Sequence, residues 1–335
     1  MIDFRSDTVT KPTAAMRAVM NDAQVGDDVY GDDPSVNQLE QFAVERHGFE
    51  SALYCSSGTQ ANLLALMAHC ERGDEYICGQ QAHNYKFEGG GAAVLGSIQP
   101  QPIENNADGS LDLNKVVAAI KADDFHFAKT KLLSLENTIG GKVLPLSYLK
   151  EARECVDKHN LALHLDGARV YNAAVKLGVD ITEITQYFDS VSICLSKGLG
   201  APVGSLLLGS KALIDKARRW RKVLGGGMRQ AGMLAAAGQY ALEHHVARLA
   251  EDHDNAAYLA EQLNTLAGFD TSTFQIDTNI VYANVAEHID LKAVAHALKE
   301  QNMLFSPGKP LRLVTHLGVT KQDIDSFISA LAAEI

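Results

Sequence analysis

An α/β fold, with a mostly parallel sheet in a large domain and a small C-terminal α+β domain, is what three features of this sequence predict. Through the first two thirds, short apolar runs alternate with helix-period patterns, the arrangement of βαβ units. After a long amphipathic stretch the order changes to strand, helix, strand, helix, which divides the chain into 1–245 and 246–335. With 335 residues, 46% of them apolar, there is material for one large core and a satellite.

Taken in order, Asp32-Asp33-Pro34-Ser35 opens a helix, because Asp33 can accept from the first free backbone donors and Pro34 suits the first turn. The acidic residues Asp27, Asp28, Asp32 and Asp33 then serve turn and cap chemistry, with metal ligation as the alternative. Ser51–Cys55 reads as a strand leading into a helix over 60–70. Further strands are predicted at 131–135, 161–165, 191–195 and 205–208, mostly buried and parallel, with a helix over 147–158. A long amphipathic helix over 233–263, bent near His245, precedes the C-terminal elements at 278–285, 291–301, 311–316 and 321–333.

A formal charge of −11, spread along the chain, argues against a nucleic-acid surface, which needs a concentrated basic footprint. No stretch approaches the ~20 apolar residues that span a bilayer, and the N-terminus lacks a signal-peptide pattern. The five cysteines are scattered, with no C-x-x-C spacing, so a reducing, cytoplasmic setting is expected, with neither disulfides nor a zinc cluster. The expected partner is a small molecule.

Gly198-Leu-Gly200-Ala-Pro-Val-Gly204 is the nearest approach to a dinucleotide fingerprint, but its spacing is wrong and a strand-like run follows where a helix is required. Ser57-Gly58-Thr59 joins a strand to a helix and would present backbone N–H groups and hydroxyls to a phosphate; plain helix capping is the alternative. Asn137, Asp166 and Lys197 each follow a predicted strand, at the edge where open α/β sheets bind ligands. A lysine ammonium at the end of a buried strand is costly unless paired or neutralised, and a Schiff base would neutralise it. Pyridoxal phosphate chemistry needs such a lysine, a carboxylate for the pyridine nitrogen and a phosphate cup, for which Lys197, Asp166 and Ser57-Gly58-Thr59 are the candidates.

The set extends to Asp3-Phe-Arg-Ser-Asp-Thr-Val-Thr10, Val25-Gly-Asp-Asp-Val-Tyr-Gly-Asp-Asp-Pro34, Ser57-Gly-Thr-Gln-Ala-Asn62, His164-Leu-Asp-Gly-Ala-Arg169, Ser196-Lys-Gly-Leu-Gly200 and Gly225-Gly-Gly-Met-Arg-Gln230. On these segments the chain resembles the threonine aldolase and β-eliminating lyase family of fold-type I pyridoxal phosphate enzymes, over nearly its whole length. The resemblance implies a seven-stranded sheet, a Schiff base on Lys197, Asp166 at the pyridine nitrogen, and Ser57, Gly58 and Thr59 at the phosphate. It further implies His83 stacked on the ring, Arg169 beside the phenolic oxygen and the substrate carboxylate, and Arg312 with Ser6 gripping that carboxylate. Lys222 and Arg229 would reach the phosphate region of a neighbouring subunit, in a dimer at least and usually a tetramer.

The reaction implied is aldol cleavage of L-threonine and L-allo-threonine to glycine and acetaldehyde. The base at the β-hydroxyl stays open between His83, His126 and a bound water. The chain departs from the family pattern at Ile139-Gly140, where His-Asn is common, and at Lys86, where an apolar residue is frequent. Rival readings are β-elimination or transamination on the same cofactor, and a cofactor carrier without turnover.

Overall fold

Six strands end at one common edge of the central sheet, and that edge positions the site. The computed structural model describes residues 1–335. From one side to the other the sheet runs Ser51–Cys55, Ser205–Gly209, Ser190–Cys194, Ala162–Gly167, Lys129–Glu136, Asp74–Gly79 and Gln99–Ile103. Ser205–Gly209 alone is antiparallel to its neighbours; the remaining pairings are parallel. Gln99–Ile103 carries Pro100 and Pro102, which cannot donate to a ladder, and it lies at the sheet edge where that loss is tolerated. Those prolines hide it from a propensity reading, as the leading Asp74-Glu75 hides its neighbour.

The two faces of the sheet differ in chemistry. Leu133, Leu135, Leu163, Leu165, Val191 and Ile193 point into the largest core cluster. Because side chains alternate along a strand, Ser134, Glu136, His164, Asp166, Ser190 and Ser192 share the opposite face. That face lies under helix Gly58–His69, which is buried along nearly its whole length and contributes Asn62 to the polar row.

Asp33 caps helix Pro34–His47, its Oδ1 accepting from the Val36 amide at 3.1 Å. Its other oxygen accepts from Gly26 N (3.2 Å) and Gly232 N (2.9 Å), so one buried carboxylate ties three backbone segments. Asp33→Ala is expected to cost about 2 kcal/mol or more, the loss of a cap plus two stranded donors. A lowered urea midpoint with an unchanged slope would register it.

The single helix expected over 233–263 is two helices, Gly232–His244 and Leu249–Leu263. They part where the His245 ring Nδ1 bonds the Leu199 carbonyl (2.8 Å), an interaction that no glycine or proline announces. Beyond the break, Leu311–Val314, Ile280–Val285 and Phe269–Asp270 form an antiparallel sheet over a second core of 21 buried residues. The N-terminus crosses to this core. Ile2–Asp3 pairs in parallel with Met303–Leu304, and Phe4 packs on Phe327 with ring centroids 4.7 Å apart. Ser6 and Asp7 are thereby carried to the large sheet's C-terminal edge.

Candidate active site

Two connected cavities lie at that edge. The smaller, about 200 Å³, is lined by Gly58, Thr59, Asn62, Asp166 and Ser192. The larger, about 680 Å³, is lined by Ser6, Glu136, Arg169 and Arg312. His83 and Lys197 line both. Lys197 follows strand Ser190–Cys194, its carbonyl held by the Thr10 hydroxyl (2.9 Å), and its amine enters none of the ion pairs around it.

At the floor of the smaller cavity Asp166 is buried, with Oδ1 accepting from the Ala168 amide (3.0 Å) and Oδ2 from Asn62 Nδ2 (2.8 Å). The same Asn62 amide donates to Glu88 Oε1 (2.9 Å), and Ser192 Oγ orients it by donating to its oxygen (2.7 Å). Glu88 in turn meets His83 Nδ1 at 2.8 Å. Burial pushes the Glu88 carboxyl up, and the hydrogen bond that the His83 ring donates to Glu88 lifts the imidazole. His83, Glu88 and Asp166 come within 4.8 Å of one another, but their facing atoms are already hydrogen-bonded to each other and to Asn62.

Arg169 and Asp7 form a two-pronged ion pair, Nε to Oδ2 at 2.8 Å and Nη2 to Oδ1 at 2.7 Å, and Asn279 adds a bond to Oδ2 (3.2 Å). Burial acts to raise the Asp7 carboxyl. The Arg169 charge and hydrogen bonds, aided by Lys197, instead hold it well below the usual carboxylate range. Arg312, half-buried, faces the larger cavity and donates to the Arg5 carbonyl (3.2 Å). Ser6 joins it on the cavity wall.

Other sequence candidates lie elsewhere. Ser57 caps helix Gly58–His69, accepting from Gln60 N at 3.1 Å, so the capping alternative describes its side chain. Asn137 braces the loop after its strand, with Leu144 N bonded to its Oδ1 (3.2 Å), and lines neither cavity. His126 sits on an exposed turn, its ring 2.6 Å from Asp124, and also lines neither cavity. His126→Phe is therefore expected to leave kcat within about twofold, as exposed positions usually do; a larger loss in initial-rate assays would restore it as a candidate base. Lys222 packs on Gly227, and Arg229 pairs with Asp27 (2.8 Å), both outside this chain's own cavities. Asp28 pairs with Arg221 (2.7 Å), so ion pairs and capping occupy the acidic loop. Ile139 and Gly140 do line the larger cavity, while Lys86 turns to Gln81 (2.8 Å).

Asn62, Glu88, Glu136 and Asp7 are the site residues that sequence reasoning missed. Only Glu136 carried a strand signal, as a polar residue at an alternate position in Leu-Ser-Leu-Glu136, where apolar runs are the rule; Asn62 lies on a helix, Asp7 in a short turn and Glu88 in a bend, where a polar residue is unremarkable.

The donor set fits pyridoxal phosphate. A lysine amine stands between a buried carboxylate and the start of a twelve-residue helix, whose first amides point into the cavity beside Thr59. Ser205 Oγ is buried without a partner, 3.6 Å from where a Gly58 side chain would begin, so a polar atom is left over at the phosphate end.

The fold and site are those of a fold-type I pyridoxal phosphate enzyme. The family model for β-eliminating lyases matches residues 3–287. The low specificity L-threonine aldolase of Escherichia coli K12 is 60% identical over 324 residues, covering 97% of this chain and 96% of that one. The Saccharomyces cerevisiae low specificity L-threonine aldolase is 35% identical, covering 98% and 85%. Among solved structures, Leishmania major threonine aldolase matches with a TM-score of 0.83 at 21% identity, over 99% of each chain. Serine palmitoyltransferase of Sphingomonas wittichii matches at 0.76 and 17% identity, over 99% and 86%; at such identities the likeness concerns the fold. The chain belongs to the β-eliminating lyase family, on the branch of the low-specificity L-threonine aldolases.

Proposed function

We propose that this chain cleaves L-threonine, L-allo-threonine and related β-hydroxy-α-amino acids to glycine and the corresponding aldehyde, with pyridoxal phosphate held on Lys197. The observation that carries the reading is the pair of cavities meeting at Lys197: one ends in a carboxylate and a helix N-terminus, the other in two arginines. The 60% identity to a low specificity L-threonine aldolase supports the substrate class.

When bound, the cofactor supplies a ring that accepts the electron pair released at Cα. Asp166, fixed by Asn62 and Ala168 N, would pair with the ring nitrogen and hold a proton there. Gly58 and Thr59 hold the phosphate at the positive end of their helix. Arg169 and Arg312 receive the substrate carboxylate with the Ser6 hydroxyl, and a guanidinium fork suits that planar anion. With the carboxylate fixed in that way, the residues would orient the substrate so that its Cα–Cβ bond is the one positioned to break. His83, lining both cavities, would cover the cofactor ring, and the β-hydroxyl proton would leave toward the wall bearing His83 and Glu136.

Lys222 and Arg229, outside the cavities of their own chain, belong in this reading to a neighbour's phosphate region, in a dimer or a tetramer. The two hydrophobic cores support domains over 1–245 and 246–335, with the N-terminal arm bridging them. Five free cysteines support a cytoplasmic setting. No helix is long and apolar enough to cross a membrane.

The test is product analysis on purified protein supplied with pyridoxal phosphate. Acetaldehyde and glycine in equal amounts from L-threonine, lost in Lys197→Ala, are expected. A keto acid with ammonia would move the reading to β-elimination, and no product would leave a carrier.

A further inference from the structure

The geometry points to Glu136 as the group that takes the proton from the substrate β-hydroxyl and returns it to Cα. This inference rests on the aldol-cleavage reading. Glu136 ends strand Lys129–Glu136 and stands in register with Asp166 on the adjacent strand, side chains on the same face. Its Oε2 is fixed by the His83 amide at 2.7 Å, and it lines the larger cavity together with Arg169, Arg312 and Lys197. One carboxylate oxygen is thus anchored by the backbone and the other is left to the cavity in which the β-substituent would lie.

Its surroundings suit proton transfer in both directions. Burial and the Asp166 charge push the Glu136 carboxyl up to about 8, against the opposing pull of His83 and Lys197; Arg169 also feels its charge. Two carboxylates side by side cannot both ionise cheaply, so Glu136, on the cavity side, holds a proton more tightly than a free carboxylate and can exchange it with substrate. Asp7 is already spent on Arg169, and Glu88 on His83 and Asn62; of the two carboxyls lining the larger cavity, Glu104 is exposed, and Glu136 is the one set in register with Asp166 and close to Arg169 and Lys197.

The proton and electrons balance within one turnover. The O–H bond of the β-hydroxyl breaks and its proton passes to Glu136. The C=O bond of acetaldehyde forms as Cα–Cβ breaks, and the electron pair remains with Cα. Glu136 then gives the same proton to Cα, forming the C–H bond of glycine and regenerating its carboxylate, so no net proton is consumed.

Glu136→Gln keeps the shape and can still accept from the His83 amide, but it cannot carry a proton. With L-threonine we expect kcat to fall by about 10²-fold or more. The rise of wild-type kcat with pH through the neutral to weakly alkaline range should vanish, while KM and cofactor affinity by absorbance titration stay within about threefold. Glu136→Asp should regain part of kcat and the pH-dependent limb. In the cofactor-free protein, the infrared carbonyl band of a protonated carboxylic acid should titrate near pH 8 and be missing from Glu136→Gln. Retained kcat with an unchanged pH profile, a cofactor affinity that falls in step with kcat, or no such band in the wild type would each overturn the assignment. Wild type run alongside separates the cases: no acetaldehyde from it would refute aldol cleavage itself, whatever the variants do.

Discussion

Asp166→Asn is expected to lower kcat for threonine cleavage by about three orders of magnitude at neutral pH while leaving the cofactor bound. A carboxylate about 4 Å from a protonated ring nitrogen contributes about 4 kcal/mol at an effective dielectric of 20, roughly three pKa units. The asparagine can still accept from Ala168 N, so the loop geometry survives, while the charge and the hydrogen bond from Asn62 are removed. Without the Asp166 charge a proton would no longer be held on the cofactor's ring nitrogen, and the cofactor would accept the electron pair from Cα less readily. Initial rates of acetaldehyde release, with cofactor content measured by absorbance, are the check. A loss below tenfold would mean that another group holds the nitrogen's proton.

Asp7→Ala should destabilise the protein by about 3 kcal/mol and raise KM for threonine, because Arg169, half-buried on the cavity wall, would lose its buried partner. The pH dependence follows in sign. The Asp7 carboxyl is held below its ordinary value of about 4, so its contribution is complete above that value and fades as pH falls into strong acid. Denaturant midpoints at pH 7 and in acid should therefore separate wild type from variant most at neutral pH and least in acid. Equal midpoints at pH 7 would show that solvent already screens the pair.

Much of the fold was legible because its strands announce themselves. The apolar residues of Lys129–Glu136, Ala162–Gly167 and Ser190–Cys194 are buried as expected, and Asp33 and Ser57 cap the helices they precede. Gln99–Ile103 was not legible, because two prolines in five residues oppose a strand unless it is known to lie at an edge. Nor was the break at His245, which depends on the Leu199 carbonyl far away in sequence.

The site divides along the same line. Lys197, Asp166, His83 and Arg169 sit in local motifs, and the fold brings them to one edge. Asp7 meets Arg169 across 162 positions, and Asn62 meets Asp166 across 104, so their roles come from tertiary contact and not from spacing. Ser57 carries both a capping and a phosphate-binding signal, and only the folded geometry separates them.

The central claim is that one lysine, between the carboxylate cavity and the arginine cavity, holds the cofactor. Borohydride reduction of the protein loaded with pyridoxal phosphate, followed by peptide mass mapping, tests it most directly. A single pyridoxyl adduct on Lys197 is the predicted result. An adduct on another lysine, or none after loading, would contradict the account.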